Sequence, residues 1–294
     1  MAAPLFSFGV VADTQYGDLE DTHDEGRTQR YREVPAKLQA AVADWTSSPA
    51  RLAFILTLGD IIQGNTSQAA TQADLDVILG ALAPLAAVPV HHVLGNHCLS
   101  LARQSIQEQL GIPASYYMVQ LPAHWRLIVL DTTEMSGHSG YPETSQQGRE
   151  AKAYQDSHPM SERDRQMASW NGGIASEQMK WLQGQLHQAK QAGEQVIMAC
   201  HHQFGQGAAR PTHYAWNWRE ISQVTLDSSV VRLVLCGHDH EGGNACHKGT
   251  HFVTLEAMLE APPDSNAYAT VDIFNDRIQI LGQGSVTSRN LTLQ

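Results

Sequence analysis

Leu5-Phe-Ser-Phe-Gly-Val-Val-Ala-Asp13-Thr-Gln15-Tyr16 decides how the rest of the chain is read. An apolar run over residues 5–12 breaks off into a polar cluster. A strand buried on both faces gives such a run, and it delivers side chains into a site where it ends. The same figure recurs downstream. Residues 52–58 run into Gly59-Asp60, and residues 88–94 into Gly95-Asn96-His97. Residues 196–200 end in His201-His202, and residues 230–236 in Gly237-His238-Asp239-His240. A further strand spans 126–131. Between the runs the period changes: Leu38, Ala41, Val42 and Trp45 form the i, i+3, i+4, i+7 stripe of a helix. Residues 75–85 read as a second helix and 176–191 as a third, with Ser176 as its N-cap and Met179, Leu182 and Leu186 as its apolar face. The alternation of strand, polar cluster and helix implies an α/β fold with its site at strand ends. The tail, 249–281, alternates apolar and polar residues around Asn275-Asp276, as antiparallel strands do.

The chain has 294 residues, a net charge of -11 and 42% hydrophobic residues. That suffices to bury a core in one domain, 1–294, and no repeat or linker divides it. The acidic balance argues against nucleic acid as a partner, because phosphate backbones are held by Lys and Arg. A small anionic substrate would need local positive charge, which bound metal ions supply. No stretch has the apolar length of a membrane span. Residues 1–6 lack the basic and apolar regions of a signal peptide, so cytoplasm is the expected location. Cys98, Cys200, Cys236 and Cys246 show neither CxxC spacing nor a disulfide framework. Residues 133–170 turn polar and read as an inserted loop or cap, longer than a plain connector.

Asp13 with Gln15, Gly59-Asp60 with Gly64, Gly95-Asn96-His97, His201, and Gly237-His238-Asp239-His240 are weak signals singly, since Asp and Gly-Asn also build turns. In order, each at a strand's carboxyl end, they read as one constellation. Mixed oxygen and imidazole donors suit Mn, Fe or Zn, and carboxylate with amide oxygen leans toward Mn. The cysteine spacing speaks against a thiolate zinc site.

The blocks Asp-x-Gln, Gly-Asp-x-x-x-Gly, Gly-Asn-His, His and Gly-His-x-His resemble, in the same order, those of the calcineurin-like metallophosphoesterases. Gln15 stands where that superfamily usually has His. It resembles the narrower manganese-dependent ADP-ribose/CDP-alcohol diphosphatases, as do Trp170-Asn-Gly-Gly-Ile174, Ala215-Trp-Asn-Trp218, Gly237-His-Asp-His-Glu-Gly-Gly243 and LEAMLEAPPDSN over 255–266. The resemblance covers nearly the whole chain. It implies two packed mixed β-sheets flanked by helices, a four-layer sandwich. It also implies two divalent metal ions, Mn first, with Fe, Zn or Mg as alternatives. One would sit on Asp13, Gln15, Asp60 and His240, the other on Asp60, Asn96, His201 and His238. A shared carboxylate suits cations roughly 3.5–4 Å apart, and a hydroxide bridging them would attack phosphorus.

His97 would protonate the leaving oxygen, a role suited to imidazole near neutral pH. The neutral amide of Gln15 in place of imidazole would weaken donation to its metal and favour Mn. The implied substrate is a small nucleoside diphosphate-X, ADP-ribose or a CDP-alcohol, split into a nucleoside monophosphate and a phosphorylated alcohol. Asn171, Gly172, Gly173, Ile174, His213 and Tyr214 are the expected substrate contacts. The family pattern follows Gly-Asn-His with an acid, where this chain has Cys98. That leaves open what orients His97, and a thiol beside the metals invites oxidation. The rival readings are a phosphomonoesterase or cyclic-nucleotide phosphodiesterase with the same centre, a hydrolase using Cys98 or Cys200, and a metal-binding scaffold subunit.

Overall fold

Strand β1, Phe6–Val11, is buried along its whole length, as its unbroken apolar run requires. This is a computed structural model that describes residues 3–24, 26–47 and 51–293; the first two residues of the stretch read for a signal peptide lie outside them. After β1 come β2 (Thr22–Asp24), β3 (Arg27–Gln29), α1 (Val34–Ser47), β4 (Phe54–Thr57), α2 (Gln68–Leu82), β5 (Val90–His92) and α3 (Arg103–Gln109). Then follow β6 (Tyr117–Leu121), β7 (Trp125–Val129), α4 (Gln146–Ser157), α5 (Ser176–Ala192), β8 (Gln195–Ala199), α6 (Trp218–Ser228) and β9 (Val231–Cys236). The tail holds β10 (Gly243–His247), β11 (Thr250–Thr254), β12 (Ala267–Ile273), β13 (Arg277–Gly284) and β14 (Arg289–Thr292).

Two mixed six-stranded sheets result. The first has the order β14-β13-β12-β1-β4-β5, with β1, β4 and β5 parallel and β12 to β14 joined antiparallel. The second has the order β10-β11-β9-β8-β7-β6, with β7, β8, β9 and β11 parallel and antiparallel strands at both edges. The two-residue period of the strands sorts the second sheet's side chains into two layers. Leu127 and Val129 of β7, with Ile197 and Ala199 of β8, share a core with Phe8, Val10 and Phe54 of the first sheet. Ile128, Val196 and Met198, on the other face, pack instead against Leu182 and Leu186 of α5 and Ile221 of α6. Helices α1 and α2 cover the first sheet through Leu38, Val42, Trp45, Leu75 and Ile78. Among the described residues no helix is long and apolar enough to cross a membrane.

Two helix starts differ from expectation. Helix α2 begins at Gln68, not 75, because Ser67 caps it: its side chain accepts from Ala70 N at 3.2 Å. The intervening residues are largely polar and give no apolar stripe to read. Ser176 is not the N-cap of α5 but its first residue. The free N–H groups of that end are met by distant carboxylates, Glu134 on Ala175 N at 2.9 Å and Glu150 on Ser176 N at 2.7 Å. The Glu150 charge also suits the positive end of the helix dipole. The polar stretch 133–170 contains α4 and has a small core of its own, in which Met135, Ala151 and Met167 meet Ala175 and Trp216.

Glu134 carries a consequence for stability. Burial, and then the charge of Asp131, push its carboxyl up from 4.5 to about 7. A folded-state pKa above the unfolded one favours the fold at low pH, and that contribution is lost as pH rises through about 7. Glu134→Gln stays neutral and keeps an acceptor oxygen. Its unfolding free energy should exceed the wild type's by up to about 3 kcal/mol at pH 8 and match it near pH 4.5. Urea melts at the two pH values measure this; the same gap at both would contradict a raised carboxyl.

Candidate functional site

The carboxyl ends of the parallel strands of both sheets meet at one place. The first sheet brings Asp13 and Gln15 after β1, Asp60 after β4, and Asn96 and His97 after β5. The second brings His201 and His202 after β8, and His238 and His240 after β9. Asp13, Gln15, Asp60 and His238 hold φ angles of 49°, 41°, 45° and 70°. This left-handed conformation is costly for residues with a side chain, and it persists where the surroundings over-determine it, as at binding sites. A Cβ on Gly95 would lie 2.1 Å from Asp60 Oδ1, so glycine is what lets the Asn96 turn rest against that carboxylate.

Hydrogen bonds fix which nitrogen of each histidine faces inward. His201 Nδ1–H donates to the Leu58 carbonyl at 2.8 Å. Its Nε2 then lies 3.0 Å from Asp60 Oδ2 and 3.1 Å from Asn96 Oδ1. His240 Nδ1 donates to Glu260 Oε1 at 2.8 Å, leaving Nε2 toward Asp13 Oδ1 at 3.8 Å. Asn171 spends its amide N–H groups on the carbonyls of Gln166 and Thr212 at 2.9 and 2.7 Å. Its oxygen therefore accepts from His238 Nε2 at 2.6 Å, and Nδ1 of that ring keeps the free electron pair. A bond on one ring nitrogen that orients the other is how metal-binding imidazoles are held.

The electrostatics agree. Burial pushes the Asp13 carboxyl up to about 6, against the pull of His201 and His240. Burial acts on Asp60 in the same direction, but His201 and then His97 outweigh it and hold that carboxyl well below the usual range. Burial disfavours charge on His201, yet Asp60 and Asp13 lift it to about 9. The proton so held on His201 lies between two oxygen acceptors, and a cation would take its place. His202 and His238 are held neutral, by burial first and then by neighbouring imidazoles, with His202 down to about 3. Gln15 Oε1 is buried with no hydrogen-bond partner, which suits an amide oxygen waiting for an ion. One atom from each of Asp13, Asp60 and His201 lies within 4.8 Å of the others, and the same holds for His201, His202 and His238. The donor set fits divalent cations.

A cavity of about 620 Å³ opens over these groups, and Gln15, Asp60, Asn96, His97, His213, His238 and His240 line it. Arg27, Arg210, Trp170 and Glu260 line it too, and none of them was among the expected substrate contacts. Asn171, Gly172, Gly173 and Ile174, expected to touch substrate, are buried instead. Gly172 packs so tightly that a Cβ would lie 2.4 Å from the Thr132 carbonyl. Tyr214 is buried as well, its hydroxyl accepting from Gly207 N at 2.7 Å and its ring stacked on Trp218 at 5.1 Å.

His97 Nδ1–H donates to the Gln63 carbonyl at 3.0 Å, so a backbone oxygen orients the ring where an acid was expected. Cys98 is fully buried, and burial followed by the charge of Asp60 pushes its thiol up to about 12. Cys200 is equally buried. Neither is placed as a nucleophile, and Cys98 is not exposed to oxidants as the sequence suggested.

Comparison with known proteins adds a lineage. The family described as calcineurin-like phosphoesterase matches residues 6–242. A protein of Arabidopsis thaliana named manganese-dependent ADP-ribose/CDP-alcohol diphosphatase is 30% identical over 97% of this chain and 96% of its own. One of the same name from Mus musculus is 31% identical over 97% and 93%. The crystal structure of a dimetal phosphatase from Danio rerio superposes with a TM-score of 0.91 at 29% identity, covering 99% of this chain and all of that one.

Two measurements follow from the geometry. Of the four cysteines only Cys246 is exposed. An aromatic disulfide reagent should titrate one fast thiol in the native protein, and Cys246→Ser should abolish it. A fast thiol remaining in that variant would contradict the burial of Cys98. Glu260→Gln should weaken Mn binding, measured by calorimetry on metal-stripped protein, about 10- to 100-fold, because His240 loses its charged partner. An unchanged affinity would show that Glu260 does not act through His240.

Proposed function

We propose that this chain, which belongs to the calcineurin-like phosphoesterase family and is a dimetal phosphohydrolase, cleaves the diphosphate bond of ADP-ribose or CDP-alcohols. The products are a nucleoside monophosphate and a phosphorylated alcohol. The observation that carries this reading is the donor set around Asp60: the oxygens of Asp60 and Asn96 converge on His201 Nε2, and Asp60 Oδ1 takes a further hydrogen from His97 N at 2.8 Å. In this proposal Asp13, Gln15, Asp60 and His240 hold one divalent cation. Asp60, Asn96, His201 and His238 hold the second. The amide oxygens of Gln15 and Asn96 favour manganese, and the names of the Arabidopsis and mouse relatives support that metal and the substrate class.

Two bound divalent cations supply Lewis-acid stabilisation of the phosphoryl oxygens and a water acidic enough to attack near neutral pH. The chain's own residues do the rest. His97 keeps Nδ1–H on the Gln63 carbonyl, which leaves Nε2 as the atom that protonates the departing oxygen. Tethering to a neutral carbonyl orients the ring without adding a second negative charge beside Asp60. Asn171, Leu58 and Glu260 hold the three metal-facing imidazoles at fixed angles, so the ligands need little rearrangement when cations bind. A cavity of about 620 Å³ lies within the range of about 300–1,000 Å³ that encloses ligands of nucleotide size.

The test is metal add-back. Metal-stripped protein would receive Mn, Mg or Zn singly and be assayed on ADP-ribose, CDP-choline, p-nitrophenyl phosphate, bis-p-nitrophenyl phosphate and cyclic AMP. Mn should restore nucleotide release from the two diphosphates with a kcat/KM at least about tenfold above the simple esters. Asp60→Ala should lower it about a thousandfold or more. Faster turnover of a monoester or of cyclic AMP would overturn the diphosphatase reading, and activity that survives EDTA would overturn the metal centre.

A further inference from the structure

We propose that Trp170 is the platform on which the nucleobase of the substrate stacks, making it the specificity-determining residue of the cleft; this rests on the nucleoside diphosphate reading above. Among the described residues the exposed large hydrophobic side chains are Leu5, Val77, Met160, Trp170 and Leu281, and Trp170, at 47% exposure, is the single aromatic one. An indole left in water with no described ring or cation stacked on it is unusual, and this one lies on the wall of the 620 Å³ cavity. Its ring is free but its backbone is not. The Trp170 carbonyl accepts from His202 Nε2 at 3.4 Å, and the next residue, Asn171, is the buried amide that holds His238. The platform therefore stands at a set distance from the phosphoryl-binding end of the cleft.

An adjoining cavity has different chemistry. This second cavity of about 330 Å³ shares Arg27, His240 and Glu260 with the first and continues past Arg30 and Ser285. Its lining carries the charged side chains of Arg27, Arg30, Glu256 and Glu260 and no aromatic ring besides the His240 imidazole, so it suits a phosphorylated alcohol and offers no platform for a base. A substrate with one flat aromatic end and one polar end fits this asymmetry in one direction only, with the base over Trp170 and the alcohol toward Arg27. Stacking on an aromatic face tolerates any base. The site should then accept purine and pyrimidine diphosphates with similar KM and discriminate strongly against esters that carry no base.

The experiment uses the Mn-loaded enzyme, CDP-choline, and a matched diphosphate in which a methyl group replaces the cytidine. The wild type should prefer the base-bearing ester. Trp170→Ala should narrow that preference about tenfold, through KM for CDP-choline and not through kcat, and Trp170→Phe should restore most of it. If the wild type prefers CDP-choline and Trp170→Ala keeps the preference, the platform is wrong and the diphosphatase reading stands. A wild type with no preference for the base overturns both. A loss of kcat shared by the two esters would mean that the residue acts through His202 or Asn171, and would also overturn the proposal.

Discussion

Asp13 and Asp60 lie fully buried beside each other, with Nε2 of His201 and of His240 turned toward them. Two carboxylates in one dry site repel, and burial of each without compensation is costly. The metal-free chain answers in part by separation: Asp13 is pushed up to about 6 while Asp60 stays ionised against a proton on His201. Divalent cations would answer more completely, since they would neutralise both carboxylates and engage the unpartnered Gln15 oxygen. Much else in the structure follows from this need. The left-handed backbones at Asp13, Gln15, Asp60 and His238, and the close approach at Gly95, are tolerable where a strongly bound ligand set requires them.

The two-sheet architecture supplies the donors. No single sheet carries the set: carboxylates and amides come from the ends of β1 and β4 and the turn after β5, and imidazoles from the ends of β8 and β9. Packing β7 and β8 against β1 and β4 through alternate side chains brings the two rows of strand ends to one edge. The core so formed also hides Cys98, which follows His97, while Cys200, which precedes His201, is buried in the core between the second sheet and α5 and α6, so both thiols serve as core atoms.

The central strands are legible in the sequence because burial on both faces makes them continuous apolar runs. Strands β6 and β10 are not. They are edge strands, and Gly243–His247 alternates half-buried and exposed residues with little apolar character. Motif order brings together the residues that end those central strands, since each lies within a few positions of an apolar run. The residues that orient them escape such reading, because Glu260 is twenty positions from His240, and Asn171 sixty-seven from His238. Ser176 misleads for a similar reason: its helix is capped by Glu134 and Glu150, and no local pattern announces a carboxylate arriving from another element. Asn171 to Ile174 also mislead. A glycine pair beside an aromatic residue suggests a ligand loop, yet only the neighbouring Trp170 reaches the cavity.

The central claim is that Asp60 joins two cations into one centre. Electron paramagnetic resonance of the Mn-titrated protein tests it most directly. The account predicts two bound Mn per chain with a spin-coupled spectrum, reduced in Asp60→Asn to one uncoupled ion or none. Two uncoupled ions in the wild type, or a coupled pair that survives in Asp60→Asn, would contradict it.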